Sequence, residues 1–180
     1  MRHVLLTAVC LSLAPVAASA ADGAGADPIA RGKYLTEIMT CHECHTPGIL
    51  IGKRRTPDLS GSEVGYSIPG LGVYYGANLT SDVETGIGSW SEDDIVKALR
   101  TGERPDGRIL SAVMPVNAFK HLSDDDAYAI AKYLKSLPPA RNKVPGPFGP
   151  SETPTSFYYA FTVPPKPAAA PAAAPAAAPK

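Results

Sequence analysis

Three stretches of the chain repeat apolar residues at helical spacing, and each is bounded by residues that start or stop a helix. In the first, Asp27 and Pro28 supply an N-cap and a first helical position, and Ile29, Gly32, Leu35, Thr36 and Met39 follow on one face. In the second, Ser91 precedes an acidic turn, Ile95, Val96 and Leu99 line one side, and Gly102 supplies the stop. In the third, Ser123 caps, residues 124–126 place three aspartates at the positive end, and Ala127, Ile130, Ala131, Leu134 and Leu137 form the stripe before Pro138-Pro139. No strand pattern competes with these helices. The spacing therefore predicts an all-α folded unit over residues 27–139, with three or more short helices joined by long loops.

The loops raise a question of their own. Residues 46–78 are rich in Gly, Pro and Ser and show no sustained period. A run that long inside a compact domain is uncommon unless it has a function, and three short helices leave it little core to cover.

The two ends fall outside this unit. Residues 1–20 begin with Arg2, continue through an apolar run from Val4 to Ala17 and finish in Ala18, Ser19 and Ala20, the plan of a secretory signal peptide. The apolar run is short for a membrane span, so cleavage after Ala20 is expected, with no transmembrane span in the mature chain. Residues 140–180 turn to Pro, Gly and Ala and end in alanine triplets separated by Pro167, Pro171, Pro175 and Pro179, which reads as an extended, mobile tail. Within it Phe157, Tyr158, Tyr159 and Phe161 stand out, suited to lying back on the domain or to docking.

Export changes the inventory more than the charge. The chain has 17 basic and 17 acidic residues, and losing the leader removes Arg2 alone, leaving a formal charge of minus one. A nearly neutral exported domain has no nucleic-acid footprint. Cys10 leaves with the leader, so the mature chain keeps Cys41 and Cys44 with His42, His45 and His121.

Cys41-His42-Glu43-Cys44-His45 is a C-x-x-C-H sequence, the attachment signature of haem c. One helical turn sets both thiols on one side of the backbone, each able to add to a haem vinyl group, and His45 then ligates the iron from the proximal face. A haem would also supply the core the long loop lacks. Three rival readings explain less. A redox dithiol calls for a βαβ setting; structural zinc calls for four ligands, and no second cluster exists; a Cys41–Cys44 disulfide suits an oxidising compartment but leaves His45 without a role. For the sixth ligand, Met39 falls in the stripe of the first helix, whereas Met114, flanked by Val113 and Pro115 in a loop between helices, is the preferred residue. His121 is the rival. His/Met ligation raises the reduction potential and suits a high-potential carrier.

With the C-x-x-C-H motif, Met114-Pro115, the Gly32-Lys33-Tyr34-Leu35 helix and the Tyr133-Leu134 helix together, residues 27–139 resemble class I cytochromes c. The resemblance implies a cytochrome c fold in which the first and last helices cross near a small residue, placing Gly32 beneath Tyr133 or Leu134. It also implies a proline carbonyl accepting the hydrogen bond of the proximal imidazole, with Pro57 at the matching position. The stretch Asn78-Leu79-Thr80, Thr85-Gly86-Ile87-Gly88, Trp90-Ser91, Asp94-Ile95, residues 98–102 and Pro105-Asp106-Gly107-Arg108 is similar to haem domains in the cytochrome c subunits of bacterial membrane-associated alcohol, aldehyde and gluconate dehydrogenases. Those subunits carry several C-x-x-C-H motifs and this chain carries one.

The resulting expectation is a periplasmic carrier with one covalent haem c, bound through Cys41 and Cys44 and ligated by His45 and Met114. A periplasmic or membrane-associated dehydrogenase is the expected electron donor, and another cytochrome or a terminal oxidase the acceptor. The alternative is a haem c enzyme or gas sensor with an open or displaceable sixth position. Trp90 is expected at the haem edge near a propionate or as a core anchor. Arg100, Arg104 and Arg108 are propionate partners that sequence does not rank.

Overall fold

A computed structural model describes residues 27–162; the signal segment and the terminal Pro/Ala repeat lie outside the described residues. The three helices read from periodicity are all present. The first is α1, Pro28–Ile38, whose Asp27 side chain accepts from the Ile29 amide. Within the C-x-x-C-H segment the backbone closes a separate short helix, α2, Cys41–His45. The second periodic stretch is α3, Glu92–Thr101, where Ser91 and Asp94 exchange hydrogen bonds as a capping box and Gly102 takes the left-handed conformation that closes the last turn. A single turn, α4, Val116–Phe119, follows Met114. The third is α5, Asp124–Ser136, capped by the Ser123 side chain.

The core forms where α1 and α3 pack on α5. Leu35, Ile95, Val96, Leu99, Ala127, Ile130, Ala131 and Leu134 are buried there, with Leu59 and Ile87 inserted from the connecting loops. The α1–α5 crossing is set by Gly32. A Cβ at that position would stand 2.0 Å from the Ala129 carbonyl oxygen and 2.7 Å from Tyr133 Cβ, so only glycine lets the two backbones approach this closely. The crossing foreseen at Tyr133 or Leu134 thus falls on Ala129 and Tyr133. At one end of the pair Arg31 forks onto Asp126, with its Nε 2.9 Å from Oδ1 and Nη2 3.2 Å from Oδ2.

The fold is mostly helix and loop, but it is not all-α. Strands β1, Gly65–Ile68, and β2, Gly72–Tyr75, form an antiparallel hairpin around Pro69-Gly70, and β3, Tyr158–Ala160, adds in parallel to the other edge of β1. Each strand has only three or four residues, too few for alternation to stand out against a Gly-rich background. The Pro-Gly step between two short β-branched and aromatic runs was the available signal.

The chain beyond Pro139, read as a mobile tail whose aromatic cluster lies back on the domain, stays on it through residue 160. The Ala140 carbonyl accepts from Asn78 Nδ2 at 2.7 Å, and Asn142 Nδ2 donates to the Ser60 carbonyl at 2.8 Å. Phe148 and Val73 exchange a pair of backbone hydrogen bonds, both at 2.9 Å. Ser156 then ties to the Glu63 carbonyl at 2.6 Å just ahead of β3. Composition did not reveal this, because the attachment is made mainly by backbone groups.

Two expectations test the helix pair. Gly32→Ala should lower the unfolding free energy by about 1–3 kcal/mol through overpacking, read from the midpoint of urea denaturation. The Arg31 hydrogen bonds hold the Asp126 carboxyl below the ordinary carboxylate range, so its contribution is present above the unfolded-state value of about 3.9 and is lost as the pH falls through the folded one. Wild type should therefore exceed Asp126→Asn in stability near neutrality and converge with it in acid, measured as denaturation midpoints across pH.

Candidate haem-attachment site

Helix α2 sits between two loops that grip its C-terminal end. The His45 carbonyl accepts from the Gly61 amide at 2.7 Å, and the buried Thr46 hydroxyl accepts from the Leu59 amide at 3.0 Å. From the other side the chain passes so close at Gly76 that a Cβ there would lie 1.7 Å from the Cys44 carbonyl oxygen. The next residue supplies the contact that orients the motif: His45 Nδ1 donates to the Ala77 carbonyl at 2.7 Å. Carbonyl acceptance fixes the proton on Nδ1 and leaves Nε2 as the free lone pair. Burial lowers the His45 pKa, outweighing this hydrogen bond, so the imidazole is neutral, the form that ligates a metal.

The proline expectation is therefore corrected. Pro57 lies on an exposed loop, and its carbonyl accepts from the Ser60 hydroxyl at 2.7 Å. Ala77 takes the role, through a backbone atom that leaves no side-chain signature in the sequence.

Both cysteines are free and half-buried. Burial pushes the Cys41 thiol up to about 11, opposite to the depressed value of a reactive dithiol. Among the described residues no group of three or more His, Cys, Asp or Glu side chains is placed to hold a metal ion. Cys44 opens instead onto a cavity of about 440 Å³ walled by Tyr66, Ile68, Ala112, Val113 and Phe161. A larger cleft of about 660 Å³ borders His42 and Glu43 and is lined by Lys33, Glu37, Arg54 and Asp58 as well as by Tyr133, Leu137 and Pro138.

Met114 is half-buried against the same hydrophobic core as Cys41, and its neighbour Val113 walls the cavity beside Cys44. His121 is exposed. Met39 also packs against the core. Trp90 packs there too, as a core anchor, with the Arg104 guanidinium 5.3 Å from its ring centroid. Arg104 Nε is buried without a hydrogen-bond partner, and its nearest carboxylate, on Asp106, is 3.5 Å from Nη2. Arg100 also has an unpartnered Nε, but its Nη atoms reach Asp124 and the Leu122 carbonyl. A partly desolvated guanidinium with a spare donor suits a carboxylate, and the apolar cavity beside Cys44 suits a macrocycle.

No family model matches the chain. Known proteins do. It is 36% identical over 150 residues to the cytochrome c subunit of the quinone-dependent alcohol dehydrogenase of Gluconobacter oxydans, covering 81% of this chain and 30% of that subunit. It is 34% identical over 134 residues to the gluconate 2-dehydrogenase cytochrome c subunit of Pantoea cypripedii, covering 74% and 28%. It is 33% identical over 112 residues to the fructose dehydrogenase cytochrome subunit of Gluconobacter japonicus, covering 60% and 22%. The resemblance to cytochrome c domains of dehydrogenases thus holds, and the chain spans less than a third of the length of these relatives.

The loop that presents Ala77 is anchored by Asn78, a residue marked by the sequence likeness but given no role from it. Asn78 is buried; its Oδ1 accepts from the Thr80 amide and hydroxyl at 3.0 and 2.8 Å, and its Nδ2 donates to Thr85 and to the Ala140 carbonyl. Asn78→Ala leaves these groups without partners and should cost about 1–3 kcal/mol, seen as a lower urea midpoint by far-UV circular dichroism.

Proposed function

We propose that this chain, a c-type cytochrome related to the cytochrome c subunits of dehydrogenases, is a periplasmic electron carrier with one haem c joined to Cys41 and Cys44. The observation that carries the reading is the His45 Nδ1 hydrogen bond to the Ala77 carbonyl beside two free thiols and an apolar cavity. It leaves a neutral imidazole with one nitrogen free, next to the two groups that attach the macrocycle.

Bound there, the haem iron supplies a one-electron couple, and the redox chemistry is the cofactor's own. The protein's work is binding, orientation and shielding. Cys41 and Cys44 would hold the macrocycle covalently, and His45 and Met114 would ligate its iron. The carbonyl at Ala77 holds the imidazole orientation and raises its basicity. Arg104, with its unpartnered donor, is the preferred partner for a propionate, ahead of Arg100, which is already engaged by Asp124 and Leu122. Ile68, Val113 and Phe161 give the cavity apolar walls.

The role is electron transfer rather than catalysis on a substrate. Dehydrogenase names among the relatives point to a periplasmic or membrane-associated dehydrogenase as donor, with another cytochrome or a terminal oxidase as acceptor. No helix among the described residues is long and apolar enough to cross a membrane.

The test is an optical spectrum of the periplasmic protein in both oxidation states, paired with haem staining of the denatured chain. Wild type should stain and show a c-type α-band with a weak far-red sulfur-to-iron band. In Met114→Ala the far-red band should vanish and the reduction potential fall, since a thioether favours Fe(II). A far-red band that survives this substitution rules out Met114, and an unstained wild-type chain rules out the haem reading.

A further inference from the structure

The Tyr66 hydroxyl lies 3.6 Å from Cys44 Sγ, within the range of a sulfur hydrogen bond, and among the described residues it has no other hydrogen-bond partner. We propose that Tyr66 is a tuning residue for the haem, donating a hydrogen bond to the Cys44 thioether sulfur. The inference rests on the haem reading above and adds a residue to it. In the free thiol either atom can donate. Attachment removes the sulfur's proton, leaving a thioether that can only accept, so the polarity of the contact becomes fixed with Tyr66 as donor.

The position of that hydroxyl is built by the part of the fold absent from the helical reading. Tyr66 lies on β1, and its register partner on β3 is Tyr159. The two rings lie 6.0 Å apart between centroids with a 34° tilt, and it is this ring contact that positions Tyr66; the Tyr159 hydroxyl is spent separately on the Leu50 carbonyl. Phe161, just past β3, walls the cavity with Tyr66 and Cys44. Burial, followed by the Cys44 contact, pushes the Tyr66 phenol up, keeping it protonated as the donor role requires. The segment from residue 140 onward therefore does more than close the sheet: it aims a hydroxyl dipole at the haem attachment.

A donor on the thioether sulfur draws electron density from the macrocycle, and its dipole is oriented positive end inward. Both effects favour the more electron-rich reduced state. Hydrogen bonding around the cofactor is one of the levers by which a protein sets a haem potential.

The experiment compares haem-loaded full-length wild type, Tyr66→Phe and Tyr159→Phe by spectroelectrochemistry, with the thioether C–S stretch read by resonance Raman. Tyr66→Phe keeps the ring and its stacking and loses only the hydroxyl. It should retain covalent haem, show a lower reduction potential and shift the C–S band. Tyr159→Phe loses the tie to Leu50 but not the stack, and should leave potential and band where wild type has them. Haem-loaded Tyr66→Phe with an unchanged or higher potential overturns the proposal, as does an equal shift in Tyr159→Phe. A wild-type chain without covalent haem overturns the underlying reading as well, so the two failures are distinguishable.

Discussion

The hydrogen bond from His45 Nδ1 to the Ala77 carbonyl is the contact on which the rest of the structure depends. A carbonyl on a loop is a poor anchor unless the loop itself is held. Here it is held from both sides. Gly76 lies against the Cys44 carbonyl, the Leu79 amide reaches Leu59 at 2.8 Å, and Asn78 spends its amide on the turn to Thr80 and on Ala140. The long segment between α2 and α3 is thus a clamp, and its glycines and small polar residues are what close backbone packing requires. Its length, out of proportion for a connector, follows from having to pass α2 twice.

The helices supply a different kind of rigidity. Crossing at Gly32, α1 and α5 pack backbone to backbone, and α3 adds its apolar side to the same core. Cys41 touches that core and Cys44 faces the small sheet. The motif therefore spans a junction: one attachment point rests on helix packing, the other on strands and on the chain beyond Pro139.

What the sequence disclosed follows the range of each interaction. The caps at Asp27, Ser91 and Ser123 act within three residues, and the apolar stripes repeat within one helix, so all three helices were legible. The C-x-x-C-H spacing is equally local, and the structure brings Met114 to the same core by a route no local pattern encodes. The proximal acceptor was misassigned to Pro57 because any residue offers a carbonyl, and only the path of the chain decides which one arrives. The sheet was hidden for a related reason. Its strands are too short for period-two alternation, and β3 joins β1 across ninety or so residues through backbone pairing that Pro/Gly-rich composition does not advertise. Exposed aromatic side chains at residues 157–161 were visible, but not the tyrosine pair they complete.

At Cys41 and His45 the environment selects the uncharged form. Burial disfavours a thiolate at Cys41 and an imidazolium at His45, and a buried ion without a partner is costly. For a dithiol catalyst or a thiolate metal site this would be a handicap, because both work through the anion. For haem attachment it is no handicap: a thioether carries no proton to lose and no charge to desolvate, and neutral imidazole is the ligating form. The cost that burial would impose on reactive sulfur disappears once the sulfur is alkylated. Charge is left to Arg104, which retains a buried, unpartnered donor, as a carboxylate-bearing macrocycle would require at its polar edge. Burial at Cys41 thus points the same way as the C-x-x-C-H spacing.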